Sequence, residues 1–157
     1  MISARQLSSI CNSRPPITIV EFSELWRVIS KRLSLTFDRV IQTKPLQATA
    51  YYNRGVAHFS LWDLKAALAD FTLAIKLDPR YAAAYYNRGV AKHAGGQLDA
   101  AITDFNRALR INPRYAEAFN NRGAARQDQG DLKGAIADLT VALRLEPDYA
   151  EAYATEA

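Results

Sequence analysis

The sequence has 157 residues, of which 49% are hydrophobic and 23% charged, and this composition is typical of one globular domain. The formal net charge of +4 comes from residues 1–47, because basic and acidic side chains are equal in number in the rest of the chain. No apolar run approaches the roughly 20 residues that span a bilayer, and the single cysteine, Cys11, excludes an intrachain disulfide and favours a reducing, cytoplasmic location.

Residues 1–16 have no acidic side chain and contain Pro15 and Pro16, so we expect a flexible N-terminal tail. Its composition, rich in Ser with two Arg, also resembles an organelle transit peptide, and that alternative stays open. The basic excess of residues 1–47 raises RNA binding as a candidate function. This candidate is the weakest, because the charges are interleaved with core-like apolar residues and are too few for a phosphate track.

Residues 17–47 form a predicted N-terminal helical cap or degenerate repeat. Their second half has apolar residues 34 positions before equivalent residues of the following segment. The pairs are Leu33 and Ala67, Phe37 and Phe71, Val40 and Ala74, and Pro45 and Pro79. Residues 17–29 have no turn signal before Ser30, so the segment is either two helices or one long helix over about 18–43.

From residue 48 the sequence repeats with a period of 34 residues. The stretch YYNRGVA occurs at 51–57 and again at 85–91, and FNNRGAA follows at 119–125. Apolar residues at steps of three and four predict two helices in each period, and a proline ends the second one. We assign repeats to residues 48–81, 82–115 and 116–149, and we expect an all-α fold of antiparallel helix pairs.

These repeats resemble the tetratricopeptide repeat family. The positions of the second repeat that match the family pattern are Tyr85, Gly89, Ala101, Phe105, Ala108 and Pro113. The resemblance implies a right-handed superhelix, or solenoid, with the first helices on its concave side. Three positions depart from the pattern. Arg54, Arg88 and Arg122 replace a usual Leu, His58, Lys92 and Arg126 replace a usual Tyr, and Leu139 replaces an aromatic residue.

The resemblance also implies that the concave side is a groove that binds a peptide segment of another protein. The residues that we expect in it are Tyr52, Asn53, Val56, Tyr86, Asn87, Val90, Asn120 and Asn121. Asn53, Asn87 and Asn121 share one repeat position, and each amide offers one acceptor and two donors, which match a peptide backbone. Alternatively, Asn simply suits the helix surface there.

The expected groove changes from aromatic and apolar in the first repeat to polar and slightly acidic in the third. One subfamily of tetratricopeptide proteins grips the acidic C-terminal tails of heat-shock chaperones with Lys, Arg and Asn on this face. Here Tyr52, Glu117 and Asn121 stand where that subfamily needs cations, and only Asn87 fits. Binding of that type is therefore disfavoured.

A second set of recurring residues predicts a structural ladder of charge pairs within or between repeats. Arginines on the first helices recur with aspartates on the second helices: Arg54, Arg88 and Arg122 with Asp70, Asp104 and Asp138. Binding of an acidic partner by these arginines is the less favoured alternative. Leu61 and Trp62 occupy a turn where the other repeats have glycine, and they need cover from the N-terminal segment or from a partner.

We find no sign of catalysis in the sequence. His58 and His93 do not share a repeat position and have no cysteine or paired carboxylates at metal-ligand spacing. No glycine-rich phosphate loop is present. We therefore expect no enzyme activity, no cofactor and no metal site.

Residues 150–157 begin a fourth repeat and predict a short C-terminal capping helix. A helix that short covers only part of the last repeat, so we expect a homodimer through the C-terminal end or a partner helix that completes the repeat. The favoured function is a non-catalytic adaptor or assembly factor that binds a peptide segment or helix of another protein. The alternative is a structural subunit that associates through its solenoid ends.

Overall fold

The computed structural model describes residues 19–146, with side chains from residue 23 onward. This part of the chain contains seven α-helices and no strand, which confirms the expected all-α fold. The helices are α1 (Ile19–Thr43), α2 (Ala48–Ser60), α3 (Leu64–Leu77), α4 (Ala82–Ala94), α5 (Leu98–Ile111), α6 (Ala116–Asp128) and α7 (Leu132–Leu145). The expected tail at residues 1–16 and the expected capping helix at residues 150–157 lie outside the described residues.

The N-terminal segment is one long helix rather than two. Helix α1 runs without interruption through Ser30, the position at which a second helix was the alternative. Ser30 and Ser34 are buried, and α1 packs against α2. Two small side chains one helical turn apart suit such close packing, because they leave room for the neighbouring helix.

The remaining helices form three pairs, α2 with α3, α4 with α5 and α6 with α7. A glycine on the first helix of each pair permits close packing. A Cβ atom added at Gly55 would lie 2.8 Å from the Phe71 ring, and one added at Gly89 would lie 2.7 Å from the Phe105 ring. Because glycine has no side chain, it leaves room for the aromatic ring of the second helix to pack against the first helix.

The core lies between consecutive pairs as well as within them. Phe71 packs with Ala67 of its own helix and with Ala91 of the next pair. Phe105 packs in the same way with Ala101 and Ala125. Each repeat thus buries its apolar face partly against its neighbour, which is the behaviour of a stacked repeat protein.

The turns inside the pairs differ in one respect. Gly96 and Gly130 adopt positive φ angles of 73° and 88°, which suit glycine. The equivalent position of the first repeat holds Trp62, also with a positive φ, of 62°. A bulky residue is rarely found in this conformation, so the first turn is strained where the other two are relaxed.

Candidate functional site

The first helices of the three pairs, α2, α4 and α6, lie side by side and form one surface of the protein. This surface is defined by side-chain contacts that join residues 35 positions apart. Asn87 Nδ2 donates to the Tyr52 hydroxyl at 2.8 Å, and Asn121 Nδ2 donates to the Tyr86 hydroxyl at 2.7 Å. His93 Nε2 lies 2.6 Å from Asp128 Oδ2 at the C-terminal ends of α4 and α6.

We call this surface the groove. Its other residues occupy the equivalent repeat positions, or lie three or four positions from these contact residues and therefore on the same side of each helix. They are Tyr52, Asn53, Val56 and Phe59 on α2, Tyr86, Asn87, Val90 and His93 on α4, and Glu117, Asn120, Asn121, Ala124, Gln127 and Asp128 on α6.

The amides of Asn87 and Asn121 are less available than the sequence suggested. Asn87 Nδ2 donates to the Ala83 carbonyl as well as to Tyr52, and Asn121 Nδ2 donates to the Glu117 carbonyl as well as to Tyr86. Both donors of each amide are therefore occupied, and the oxygen is the atom left to accept from a ligand. Asn53 is exposed, and its side-chain amide makes no hydrogen bond within the described residues.

The groove tyrosines are held between neighbouring repeats. The Tyr52 ring lies 4.9 Å from Tyr81 and 6.1 Å from Phe71, and Tyr86 repeats this arrangement with Tyr115 and Phe105. Burial raises the pKa of Tyr52, and the hydrogen bond from Asn87 partly opposes this rise. Burial also raises the pKa of Tyr115. These phenols therefore stay neutral around pH 7, and the Tyr52 hydroxyl accepts the Asn87 hydrogen bond as an uncharged group.

The other predicted groove residues differ in their exposure. Val56 and Asn120 are exposed, so a ligand can contact them directly. Val90 is half-buried and packs against the cluster of Ala101, Phe105 and Ala125. It contributes mainly to the shape of the surface.

The recurring arginines and aspartates form bidentate pairs. The Arg54 guanidinium donates to both carboxylate oxygens of Asp70 at 2.8 and 2.6 Å, and Arg88 donates to both oxygens of Asp104 at 2.8 and 2.7 Å. Arg122 makes the same pair with Asp138. All three aspartates are buried, so these pairs differ from solvent-exposed surface salt bridges.

Each arginine also reaches back to the preceding helix pair or to α1. The third nitrogen, Nη1, donates to Asp38 Oδ1 from Arg54, to Thr72 Oγ1 from Arg88 and to Asn106 Oδ1 from Arg122. The ladder therefore ties three helices together at each step, both within and between repeats. The bond to Asp70 is the main cause that raises the pKa of Arg54, so this guanidinium stays charged.

In the second and third repeats a second basic residue binds the buried carboxylate directly. Lys92 Nζ lies 2.7 Å from Asp104 Oδ2, and Arg126 Nη1 donates to Asp138 Oδ2 at 2.7 Å. His58 Nε2 lies 3.8 Å from Asp70 Oδ2. The two departures from the family pattern, Arg for Leu and a basic residue for Tyr, thus surround one buried carboxylate with two basic side chains.

The described residues show no cluster of His, Cys, Asp or Glu that could hold a metal ion. In the same part of the chain every buried side-chain nitrogen or oxygen has a hydrogen-bond partner. No helix between residues 19 and 146 is both long and apolar enough to cross a membrane.

The turn residue Trp62 is 68% exposed and its ring lies 6.2 Å from Phe59. Neither α1 nor any other described helix covers it. One of the two expectations for this turn was cover by the N-terminal segment, and residues 1–16 of that segment lie outside the described residues.

Sequence reasoning missed the contacts that join adjacent repeats. Tyr52 with Asn87, Tyr86 with Asn121 and His93 with Asp128 are all separated by 35 residues, one more than the period. A search for complementary residues at the period plus one would have found the first two pairs. The third breaks the repeat, because its first-repeat equivalent is Phe59 with Ala94.

Four family models match the chain. Tetratricopeptide repeat models match residues 48–81, 71–103 and 116–149, and a TPR repeat model matches residues 91–130. None of these is an enzyme family. Among proteins of curated function, none matches the chain by sequence.

Solved structures share the fold. The Arabidopsis OM64 TPR domain is 31% identical over 64% of this chain and 84% of that domain, with a TM-score of 0.64. The second TPR of Spaghetti (RPAP3), bound to the HSP90 peptide SRMEEVD, is 30% identical over 64% and 93%, with a TM-score of 0.63. MamA is 24% identical over 94% and 88%, with a TM-score of 0.72.

Proposed function

Because this chain belongs to the tetratricopeptide repeat family, we propose that it is a non-catalytic adaptor or assembly factor whose groove binds a peptide segment of another protein. The observation that carries this proposal is the pair of Tyr–Asn contacts that fixes the first helices side by side. A surface held in place by the fold binds with less loss of conformational entropy than a mobile one.

The accessible polar and apolar groups of the groove suit a peptide in an extended conformation. Asn53 offers an unoccupied amide, Val56 offers apolar contact, and the Asn87 oxygen remains an acceptor. Three repeats provide only a short track, so we expect micromolar dissociation constants, equivalent to about −8 kcal/mol. The two TPR domains of the structural neighbour Spaghetti (RPAP3), each bound to an HSP90 peptide, support peptide binding by this fold.

The test begins with affinity purification on the full chain, followed by mapping of the bound partner to a short peptide. Val56→Glu places a charge on the exposed apolar part of the groove, and we expect it to lower the affinity for that peptide by about tenfold or more. Leu73→Glu is the matched control, because Leu73 is a similarly exposed apolar residue on the second helix α3. A mapped peptide that binds wild type, Val56→Glu and Asn53→Ala equally would contradict binding in the groove.

The second candidate function, a structural subunit that associates through its ends, has one specific observation in its favour. Leu109 is 7% exposed, whereas Leu143 at the same position of the third repeat is 45% exposed, and Ile136 is 67% exposed. At the other end, Leu25 and Trp26 of α1 are about half exposed. Apolar surface of this kind at a solenoid end favours association with a second copy or a partner helix.

Sedimentation velocity over a range of concentrations tests this second candidate. We expect wild type to form a homodimer that Ile136→Asp dissociates, while Leu73→Asp leaves it intact. A wild-type monomer at all concentrations, together with no partner sensitive to Ile136→Asp, would exclude association through the C-terminal end.

A further inference from the structure

We propose that the groove selects a segment with a large apolar side chain at the Trp62 end and a Lys or Arg at the Asp128 end. This inference rests on the proposed function and adds the chemistry of the ligand. It comes from three features of the described structure: the strained turn at Trp62, the exposed apolar surface of the first repeat, and the use of the first-helix cations inside the ladder.

Within residues 19–146, Trp62 contributes little to the packing of the fold. Its positive φ is unfavourable for a bulky residue, and glycine takes the same conformation without strain in the second and third repeats. Its side chain is also 68% exposed, so it gains little from burial. Strained residues persist mainly where function requires them, and here the strain presents an indole ring beside the groove.

The indole extends apolar surface that is exposed in the first repeat, where Val56 is exposed and its second-repeat equivalent Val90 is half-buried. Trp62 lies next to Phe59, and Val56 is exposed one helical turn away. The positions equivalent to Phe59 in the next two repeats hold His93 and Gln127. A large apolar side chain of a ligand therefore finds apolar contact at one end of the groove.

The opposite end is acidic because the nearby cations face inward. Arg122 and Arg126 on α6 both bind the buried Asp138, and Arg88 and Lys92 on α4 both bind the buried Asp104. On α6 the ionisable groove residues are Glu117 and Asp128, both exposed. The Asp128 side chain is 58% exposed and has His93 as its described partner. A basic side chain complements this end, whereas a carboxylate is repelled.

The distance between the two ends sets the spacing within the ligand. Packed helices lie about 8–10 Å apart, so α2 and α6 are separated by roughly 16–20 Å. An extended peptide covers about 3.3 Å per residue, so five or six residues span that distance. The expected ligand carries a Leu, Phe, Trp or similar residue and a Lys or Arg about that many positions apart.

The experiment selects a displayed library of random peptides, long enough to cross all three first helices, on the full-length chain. Enriched peptides are then synthesised and titrated by fluorescence anisotropy. We expect the enriched sequences to share the apolar residue and the basic residue at the stated spacing.

Two substitutions then separate recognition from folding. Trp62→Gly should raise the midpoint of thermal unfolding, because glycine removes the backbone strain. It should also lower the affinity for the enriched peptides by about tenfold. Leu73→Ala, at an exposed apolar residue of α3 outside the groove, is the control and should leave affinity unchanged. Asp128→Asn should lower the affinity for the peptides severalfold and make that affinity less dependent on salt concentration, whereas Glu24→Gln on α1 should change neither.

The outcomes distinguish this inference from the function on which it rests. Enriched peptides that are acidic, or that bind Trp62→Gly as tightly as wild type, overturn the inference. If Val56→Glu still abolishes their binding, the groove remains the binding site. Failure to enrich any peptide, or binding that is indifferent to Val56→Glu, overturns both.

Discussion

At the scale of single residues, the unusual feature of this protein is a buried carboxylate bound by two basic side chains in the second and third repeats. Asp104 is 3% exposed and contacts both Arg88 and Lys92. A charge removed from water at such a site is tolerated only because its partners neutralise it and satisfy its hydrogen bonds. Loss of one partner therefore costs far more than loss of a surface salt bridge.

We predict that Asp104→Asn lowers the free energy of unfolding by about 3–5 kcal/mol, because it leaves Arg88 and Lys92 without their counter-charge. Urea denaturation measures this change. Glu117→Gln removes an exposed carboxylate from the same protein and should change stability by less than about 0.5 kcal/mol. If the two substitutions lower the free energy of unfolding equally, the buried ladder stabilises the protein no more than an exposed carboxylate does.

The glycines of the first helices give a second prediction at this scale. In Gly89→Ala the new Cβ would lie 2.7 Å from the Phe105 ring, and we expect a loss of about 1–3 kcal/mol from overpacking. In Gly123→Ala the nearest atom is Leu139 Cγ at 3.2 Å, because the third repeat lacks the aromatic ring. Thermal unfolding of the two variants should show a clearly larger loss for Gly89→Ala.

The sequence predicted the periodic residues better than their contacts. Pairing of Arg88 with Asp104 was expected, because both recur with the period and lie on paired helices. The second basic residue, Lys92, was recorded only as a departure from the family pattern. Its role depends on a carboxylate that lies 12 residues away in sequence and adjacent in the fold, and helical periodicity alone does not show that proximity.

At the scale of helices, the sequence predicted the pairs of each repeat but left α1 open. Periodicity locates a helix wherever its apolar face is regular, as in α4 and α5. In α1 no glycine or proline punctuates residues 19–43, so the same pattern fits one helix or two. The choice between them depends on packing against α2, which is a tertiary effect.

The N-termini of the second helices also yield a prediction. Asp63 caps α3 through the Ala66 amide, and Asp131 caps α7 through the Gly134 amide. The equivalent residue before α5 is Gln97, whose side chain makes no cap bond. We predict that Gln97→Asp raises the free energy of unfolding by about 0.5–2 kcal/mol by supplying that cap.

Urea denaturation of Gln97→Asp beside Gln97→Asn and Gln97→Ala checks the mechanism. Asp and Asn can both accept the amide hydrogen bond, so both should stabilise the protein, whereas Ala should not. Stabilisation by Asp alone would indicate a charge effect at the helix terminus rather than a cap.

At the scale of the whole molecule, each helix pair within residues 19–146 contacts only its neighbours. The free energy of unfolding therefore differs from pair to pair, because it depends on how well each pair is covered by the next one. Phe71 and Phe105 are at most 1% exposed, and each is covered by the next pair. Leu139, at the same position of the third repeat, is only half-buried, and no described helix follows α7. The third pair is therefore expected to open more readily than the second.

Native-state hydrogen exchange measured by mass spectrometry tests this gradient. We predict that backbone amides of α3, α4 and α5 are the most protected and that those of α7 are the least protected within residues 48–146. Leu139→Ala should accelerate exchange in α6 and α7 while α3 and α4 keep their wild-type rates. Phe105→Ala should accelerate exchange in α4 to α7, because that ring belongs to the core shared by the second and third pairs and its loss costs about 3–5 kcal/mol. If Leu139→Ala instead accelerates α3 and α4 as much as α7, the three pairs unfold as one cooperative unit, and nearest-neighbour stacking does not describe the stability of this protein.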